Sequence, residues 1–154
     1  MVSFKSNAKN YRDAESMAAA YLAAYFANSK IKYPLNPFKM LKDEGVEFKI
    51  CNFNKLEGVY IPAQSQEDIS IVGISAKRPI TRQRFTAAHE LCHHFRDADK
   101  QVACPIGKKN ASEYFADAFA SALLMPMGEL KIKVNEYKDI NGNVIDSWYY
   151  ETWK

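Results

Sequence analysis

All three histidines of the chain fall in one run, His89-Glu90-Leu91-Cys92-His93-His94. Its core reads His-Glu-x-x-His, a pattern with explicit chemistry. On a helix, residues four apart lie about 40° apart around the axis and about 6 Å along it. His89 and His93 can therefore aim their imidazoles at one cation. Glu90 stands about 60° from His93, within reach of a water at that cation yet not pointed at the cation itself. Two imidazoles plus an open water position describe an unfinished zinc site, because a catalytic zinc takes a third protein ligand.

That third ligand must come from a neighbouring element. The next helical stretch offers Glu113, with Asp117 one turn further on the same face. A carboxylate there completes the His₂Glu set used by zinc peptidases. Asp117 is then placed to accept the second ring N–H of a ligating histidine and fix its tautomer. Glu113 has a competing use as the carboxylate of a capping box that begins at Asn110. Cys104, in Cys104-Pro105 on the connecting segment, is a rival ligand that nothing in the sequence orients. Cys92 reads as a small buried thiol. His94, about 100° around the helix from His93, is expected to face solvent or pack under a loop.

The elements that must hold these groups follow from periodicity. Residues 8–29 read as a helix, with Ala14, Met17, Ala18, Tyr21, Leu22 and Tyr25 on one face, ended by Pro34 and Pro37. A short helix is expected from Phe38 to about Glu44, stopped by Gly45. Strand-like pieces follow at Val46–Phe53, Gly58–Pro62 and Ile69–Ser75. Helices are expected over 81–96, with Thr81 as N-cap, and over 111–124, capped by Asn110 and closed by Pro126. Asn141-Gly142 marks a hairpin in the tail. The expected fold class is α+β: a compact helical zinc-peptidase domain with a small antiparallel sheet and a C-terminal β-hairpin. The whole, 1–154, reads as one domain, its core about 8–130 and its hairpin appendage 131–154.

Composition narrows the function classes. The chain has 154 residues, 47% hydrophobic and 25% charged, which excludes disorder or a coiled-coil rod as descriptions of the whole. Twenty-one basic against 18 acidic residues give a net charge of +3. Without a basic stripe, direct nucleic-acid binding is not expected. Three cysteines suit a reducing compartment better than a disulfide framework, so a cytoplasmic location is expected. The apolar run Met17–Ala27 is too short to span a bilayer, and Asp13 and Glu15 make it a poor signal sequence. No membrane partner is expected. Asp139-x-Asn141-x-Asn143 begins like a calcium loop, but Val144 stands where that loop needs glycine. Trp148, Tyr149, Tyr150 and Trp153 read as hairpin core and cover rather than a docking surface.

Two blocks carry a family resemblance. Arg82-Gln83-Arg84-Phe85-Thr86-Ala87-Ala88-His89-Glu90-Leu91-Cys92-His93-His94 is followed by Glu113-Tyr114-Phe115-Ala116-Asp117-Ala118-Phe119-Ala120 and Leu123-Leu124-Met125-Pro126. Together they resemble the ImmA/IrrE metallo-endopeptidases, whose pattern is R-x-R-F-T-x-A-H-E-x-x-H, then E-x-x-A-[N/D]-x-F-A-x-x-L-L-M-P. The resemblance implies a gluzincin-like zinc peptidase: Zn²⁺ on His89, His93 and Glu113, Glu90 catalytic, Asp117 supporting. It also implies a protein substrate, a helix-turn-helix repressor encoded nearby, cleaved to relieve repression in a mobile-element, prophage or stress context. Cys92 stands where the family usually has glycine, and Asp97 where many members carry a further histidine.

On this reading Glu90 takes a proton as water attacks the scissile carbonyl and delivers it to the leaving amine. Tyr60, Tyr114 and Arg84 are open alternatives for stabilising the oxyanion. Ile69–Ser75 is expected to be an edge strand that holds extended substrate. A second reading is a non-hydrolytic, zinc-stabilised partner of a DNA-binding regulator, for which a fourth protein ligand such as Cys104 would speak. A small-molecule metallohydrolase of the deformylase kind ranks last, because Ile50-Cys51-Asn52 does not match the cysteine motif it needs.

Overall fold

The computed structural model describes residues 4–107 and 109–136. In chain order these form α1 (Phe4–Asn7), a 3₁₀ turn (Ala8–Asn10), α2 (Ala14–Tyr25), α3 (Pro37–Asp43), β1 (Val46–Cys51), β2 (Leu56–Ile61) and β3 (Ser70–Ser75). They continue with α4 (Ile80–Arg96), β4 (Val102–Pro105), α5 (Ala111–Leu124) and α6 (Met127–Glu136). The α+β class stands. No helix among the described residues is long and apolar enough to cross a membrane.

The expected helix over 8–29 is shorter and interrupted. Asp13 is extended and its carboxylate accepts from Ser16 N at 2.7 Å, so α2 starts afresh at Ala14. Thr81 is not an N-cap: α4 begins at Ile80, behind Pro79, with no side-chain cap. Asn110 does cap α5, its Oδ1 accepting from Glu113 N at 3.0 Å. Residues 131–136, expected to begin the hairpin, are the second half of α6. The remaining hairpin, with the aromatics Trp148 to Trp153, lies outside the described residues.

The sheet departs from the antiparallel expectation. Its order is β1-β3-β2-β4, and β1 runs parallel to β3 in the register Val46↔Ser70 to Cys51↔Ser75. β3 is therefore central, not an edge. Gly73 and the flanking Val72 and Ile74 are all buried, as expected of a strand covered on both faces. The other edge of β2 is taken by β4, a strand in a segment whose sequence carries no strand pattern.

Helix α4 lies across β2 and β3 and packs laterally on α3 and α5, while α2 closes over α5. An aromatic cluster locks this arrangement. Phe95 of α4 meets Phe4 at 4.8 Å and Tyr21 at 4.9 Å between ring centroids, and Tyr21 lies 6.4 Å from Phe119 of α5. Each such pair adds about 0.5–1.5 kcal/mol beyond its buried area. Leu91, Ala116, Ala120 and Leu123 complete the same apolar layer. With these faces committed to the core, the polar residues of α4 and α5 are left to meet one another.

Because Asn110 supplies the first acceptor of α5, Asn110→Ala should lower stability by about 1 kcal/mol. Urea unfolding should show this as a lower midpoint at unchanged slope, and Asn110→Asp should restore it. A midpoint that does not move would show the cap to be idle.

Candidate metal centre

Helix α4 buries His89, Glu90 and His93 together. The Nε2 atoms of His89 and His93 lie 3.1 Å apart. Glu113 reaches both from α5, Oε2 at 3.3 Å from His89 Nε2 and Oε1 at 3.1 Å from His93 Nε2. So the Glu113 backbone serves the cap while its side chain goes to the histidines. From β4, Cys104 Sγ lies 3.3 Å from His89 Nε2 and 3.5 Å from Glu113 Oε1. One donor atom from each of these four buried residues falls within 4.8 Å of all the others.

The outer nitrogens of both imidazoles are committed. Asp117 Oδ1 accepts from His89 Nδ1 at 2.8 Å, and Asp97 Oδ2 accepts from His93 Nδ1 at 2.8 Å. With Nδ1 donating, each neutral ring keeps its lone pair on Nε2. Two lone pairs and a carboxylate then converge on one buried point, which calls for a positive charge there. Burial opposes charging His93, but its bonds to Asp97 and Glu113 outweigh that and raise its pKa to about 9. Burial likewise works against ionised Glu113, yet the two histidines hold it well below the usual carboxylate range. The donor set fits a metal ion in place of that proton.

The carboxylates behind the histidines are themselves anchored. Ser112 Oγ donates to Asp97 Oδ2 at 3.2 Å, and Lys100 Nζ lies 3.4 Å from Asp97 Oδ1. Lys109 ion-pairs with Asp117. Asp97 has a role that the sequence reading missed; its signal was the four-residue spacing from His93, the same spacing that links the two histidines.

Glu90 is fully buried, and neither carboxylate oxygen has a hydrogen-bond partner among the described residues. Desolvation raises its pKa to about 7, against the pull of His89, His93 and the neighbouring Cys104 thiol. Its space is provided by Gly58 on β2. A Cβ at Gly58 would overlap Glu90 Oε1 and come within 2.8 Å of Thr86 Cγ2. Gly58 also pairs with Cys104 across the β2–β4 ladder. Burial beside Glu90 and Glu113 drives the Cys104 thiol far above its ordinary pKa.

The remaining candidates separate clearly. Cys92 is buried in the apolar layer, as expected. His94 does not face solvent: it is buried, with Nδ1 3.1 Å from Tyr60 Oη and Nε2 3.2 Å from Lys5 Nζ. Burial lowers its pKa to about 4, aided by the Lys5 charge. Tyr60 is occupied by His94 and by Ser70 Oγ at 3.2 Å, and Arg84 by the Leu35 carbonyl. Tyr114 is exposed and lines a groove with Arg12, Phe115 and Met125 rather than the donor site. The cavity at the donors, about 80 Å³, is walled by Arg82, Phe85, His89, Cys104, Lys109 and Asp117 among others.

A peptidase family model, described as the IrrE N-terminal-like domain, matches residues 41–146. No curated protein matches the chain. The matched stretch runs from the end of α3 past α6 and so contains every donor, both orienting aspartates, Glu90 and Gly58. With a family of metallopeptidase type covering more than half of its length, this chain belongs to the IrrE N-terminal-like, or ImmA/IrrE, peptidase family.

Proposed function

We propose that the chain is a zinc-dependent endopeptidase of gluzincin type. Its target would be a helix-turn-helix repressor-type protein, cleaved to relieve repression in a mobile-element, prophage or stress context. The observation that carries the hydrolytic reading is Glu90. A purely structural metal site has no use for a buried carboxylate without hydrogen bonds, since that burial costs stability and returns nothing. A general base needs a free carboxylate beside the ion. The repressor target rests on the family resemblance alone.

His89, His93 and Glu113 would hold the zinc, with Asp117 and Asp97 fixing the two imidazoles. When bound, zinc supplies Lewis acidity, acidifying water and polarising the scissile carbonyl. Glu90 accepts the proton of the attacking water at its free oxygen and returns it to the leaving amine. Gly58 keeps the backbone of β2 out of the volume that carboxylate needs. The expected edge role of Ile69–Ser75 is withdrawn, because β3 is central; β4 holds that edge. Of the three oxyanion candidates, none is placed to act: Tyr60 and Arg84 are engaged elsewhere, and Tyr114 faces another groove.

One observation favours the second reading, a zinc-stabilised partner that binds a DNA-binding regulator without hydrolysis. Cys104 stands among the three ligands, where a fourth protein donor would make the site a closed structural one.

Four measurements test the proposal. Zinc at about 100 times its dissociation constant should stabilise the fold by about 2.7 kcal/mol. Tm should rise accordingly and fall again with EDTA, and Asp97→Asn should weaken zinc binding by about 10–100-fold. A protein indifferent to zinc and chelator would remove the metal. Glu90→Gln should keep its zinc but cleave a co-encoded repressor about 10²–10⁴-fold more slowly; undiminished cleavage would dismiss Glu90 as the base. Gly58→Ala should stay folded at a cost of about 1–3 kcal/mol and lose most of its cleavage, while a fully active variant would mean Glu90 needs no such space.

A further inference from the structure

The distances around Cys104 bear on how the site rests between turnovers. Tetrahedral ligand atoms about 2.0–2.3 Å from a zinc lie about 3.3–3.8 Å from one another. The pairs His89 Nε2–His93 Nε2, His89 Nε2–Glu113 Oε2 and His93 Nε2–Glu113 Oε1 measure 3.1, 3.3 and 3.1 Å. Cys104 Sγ lies 3.3 Å from His89 Nε2 and 3.5 Å from Glu113 Oε1, and one donor atom from each of the four residues falls within 4.8 Å of the others. The thiol is close enough to serve as a fourth donor.

The thiol is held there by backbone. β4 pairs antiparallel with β2, Val59 opposite Ala103 and Gly58 opposite Cys104, and Ile106 N donates to Lys55 O at 3.1 Å beyond the strand. The ladder shifts register between Leu56 and Gly58, the irregularity that sets Cys104 against the donors. The same strand covers the edge of β2 that an extended peptide would otherwise extend. The cavity that remains, about 80 Å³, is far below the roughly 300 Å³ or more of pockets that hold drug-sized ligands.

We propose that Cys104 is a fourth donor to the metal held by His89, His93 and Glu113, and that β4 is a strap that closes the site at rest. Loading the metal exchanges the Cys104 thiol proton for a sulfur–metal bond and displaces the proton held at the imidazoles, both protons leaving to solvent. Four protein donors leave no position for water, so turnover requires β4 to lift and the thiolate to leave the ion. This inference rests on the endopeptidase reading and adds a resting state to it: Glu90 is poised but has no water to act upon until the strap is released. Substrate binding along β2 is the event that displaces β4, since both compete for the same backbone hydrogen bonds.

Cobalt(II) replacing zinc in the full chain reports the donors directly. The wild-type protein should show a near-ultraviolet thiolate-to-cobalt charge-transfer band beside the visible bands of a four-coordinate ion. Cys104→Ser should lose the near-ultraviolet band and bind cobalt at least about tenfold more weakly, whereas Cys92→Ser should keep both. Acetohydroxamate should shift the visible bands of the Cys104→Ser protein and leave the wild type unchanged at the same concentration. X-ray absorption of the wild-type zinc protein, independent of any variant, should find one sulfur at about 2.3 Å. Visible bands without the thiolate band, or a spectrum without sulfur, would overturn the fourth donor and leave a three-ligand peptidase standing. Wild-type bands that move with acetohydroxamate would overturn closure. A chain that binds no cobalt would sink the inference together with the metal reading beneath it.

Discussion

Two imidazole nitrogens, 3.1 Å apart in a buried setting, set the terms for everything around them. Asp117 and Asp97 draw the ring protons to the outer nitrogens, so the inner lone pairs face each other. Such an arrangement is repulsive unless a positive charge sits between the rings. A divalent cation would relieve it well, because Glu113 and Cys104 hold further electron pairs beside the same point. Lys100 and Lys109 stabilise the outer carboxylates without entering the donor set, which keeps the negative charge of the two layers tolerable.

The fold supplies this arrangement by spending its apolar surface elsewhere. Phe95, Tyr21, Phe119 and Phe4 gather on one side of α4 and α5, and Leu91, Ala116 and Leu123 fill the gap. Helices joined by such a layer cannot rotate about their axes without exposing aromatic surface, so the polar faces stay opposed. The sheet does the rest. Gly58 lets β2 pass against Glu90, and β4 brings Cys104 to the donors. A residue with any side chain at 58 would compete with the carboxylate for the same volume, which ties a buried strand glycine to a carboxylate on a helix.

A hydrolase and a closed metal site make opposite demands, and this molecule carries features of both. The buried Glu90 carboxylate suits the proposed general base, while Cys104 as a fourth donor would suit a site without a free position. A strap that can leave reconciles them: the strand ladder is held by a few hydrogen bonds, each modest in net strength, whereas the three remaining donors come from helices clamped by the core.

Local sequence was enough for whatever repeats at helical spacing. His89, Glu90 and His93, the pair Glu113 and Asp117, the helices α4 and α5 and the Asn110 cap were all legible, because an i to i+4 relation is fixed by 1.5 Å rise and 3.6 residues per turn. Asp97 obeyed the same rule and was overlooked. What depends on pairing between distant segments was not legible. The parallel β1–β3 register, the central place of Ser70–Ser75 and the strand at Val102–Pro105 are decided by which edge is vacant once the helices have docked. Helical angle alone left His94 to face solvent or pack under a loop, and the approach of Tyr60 and Lys5 is what buries it. Sequence thus determined the ligands that share a helix with their partners. The tertiary structure alone decided that Cys104 lies beside them and that Gly58 faces Glu90, because backbone ladders between segments of no fixed separation leave no period to read.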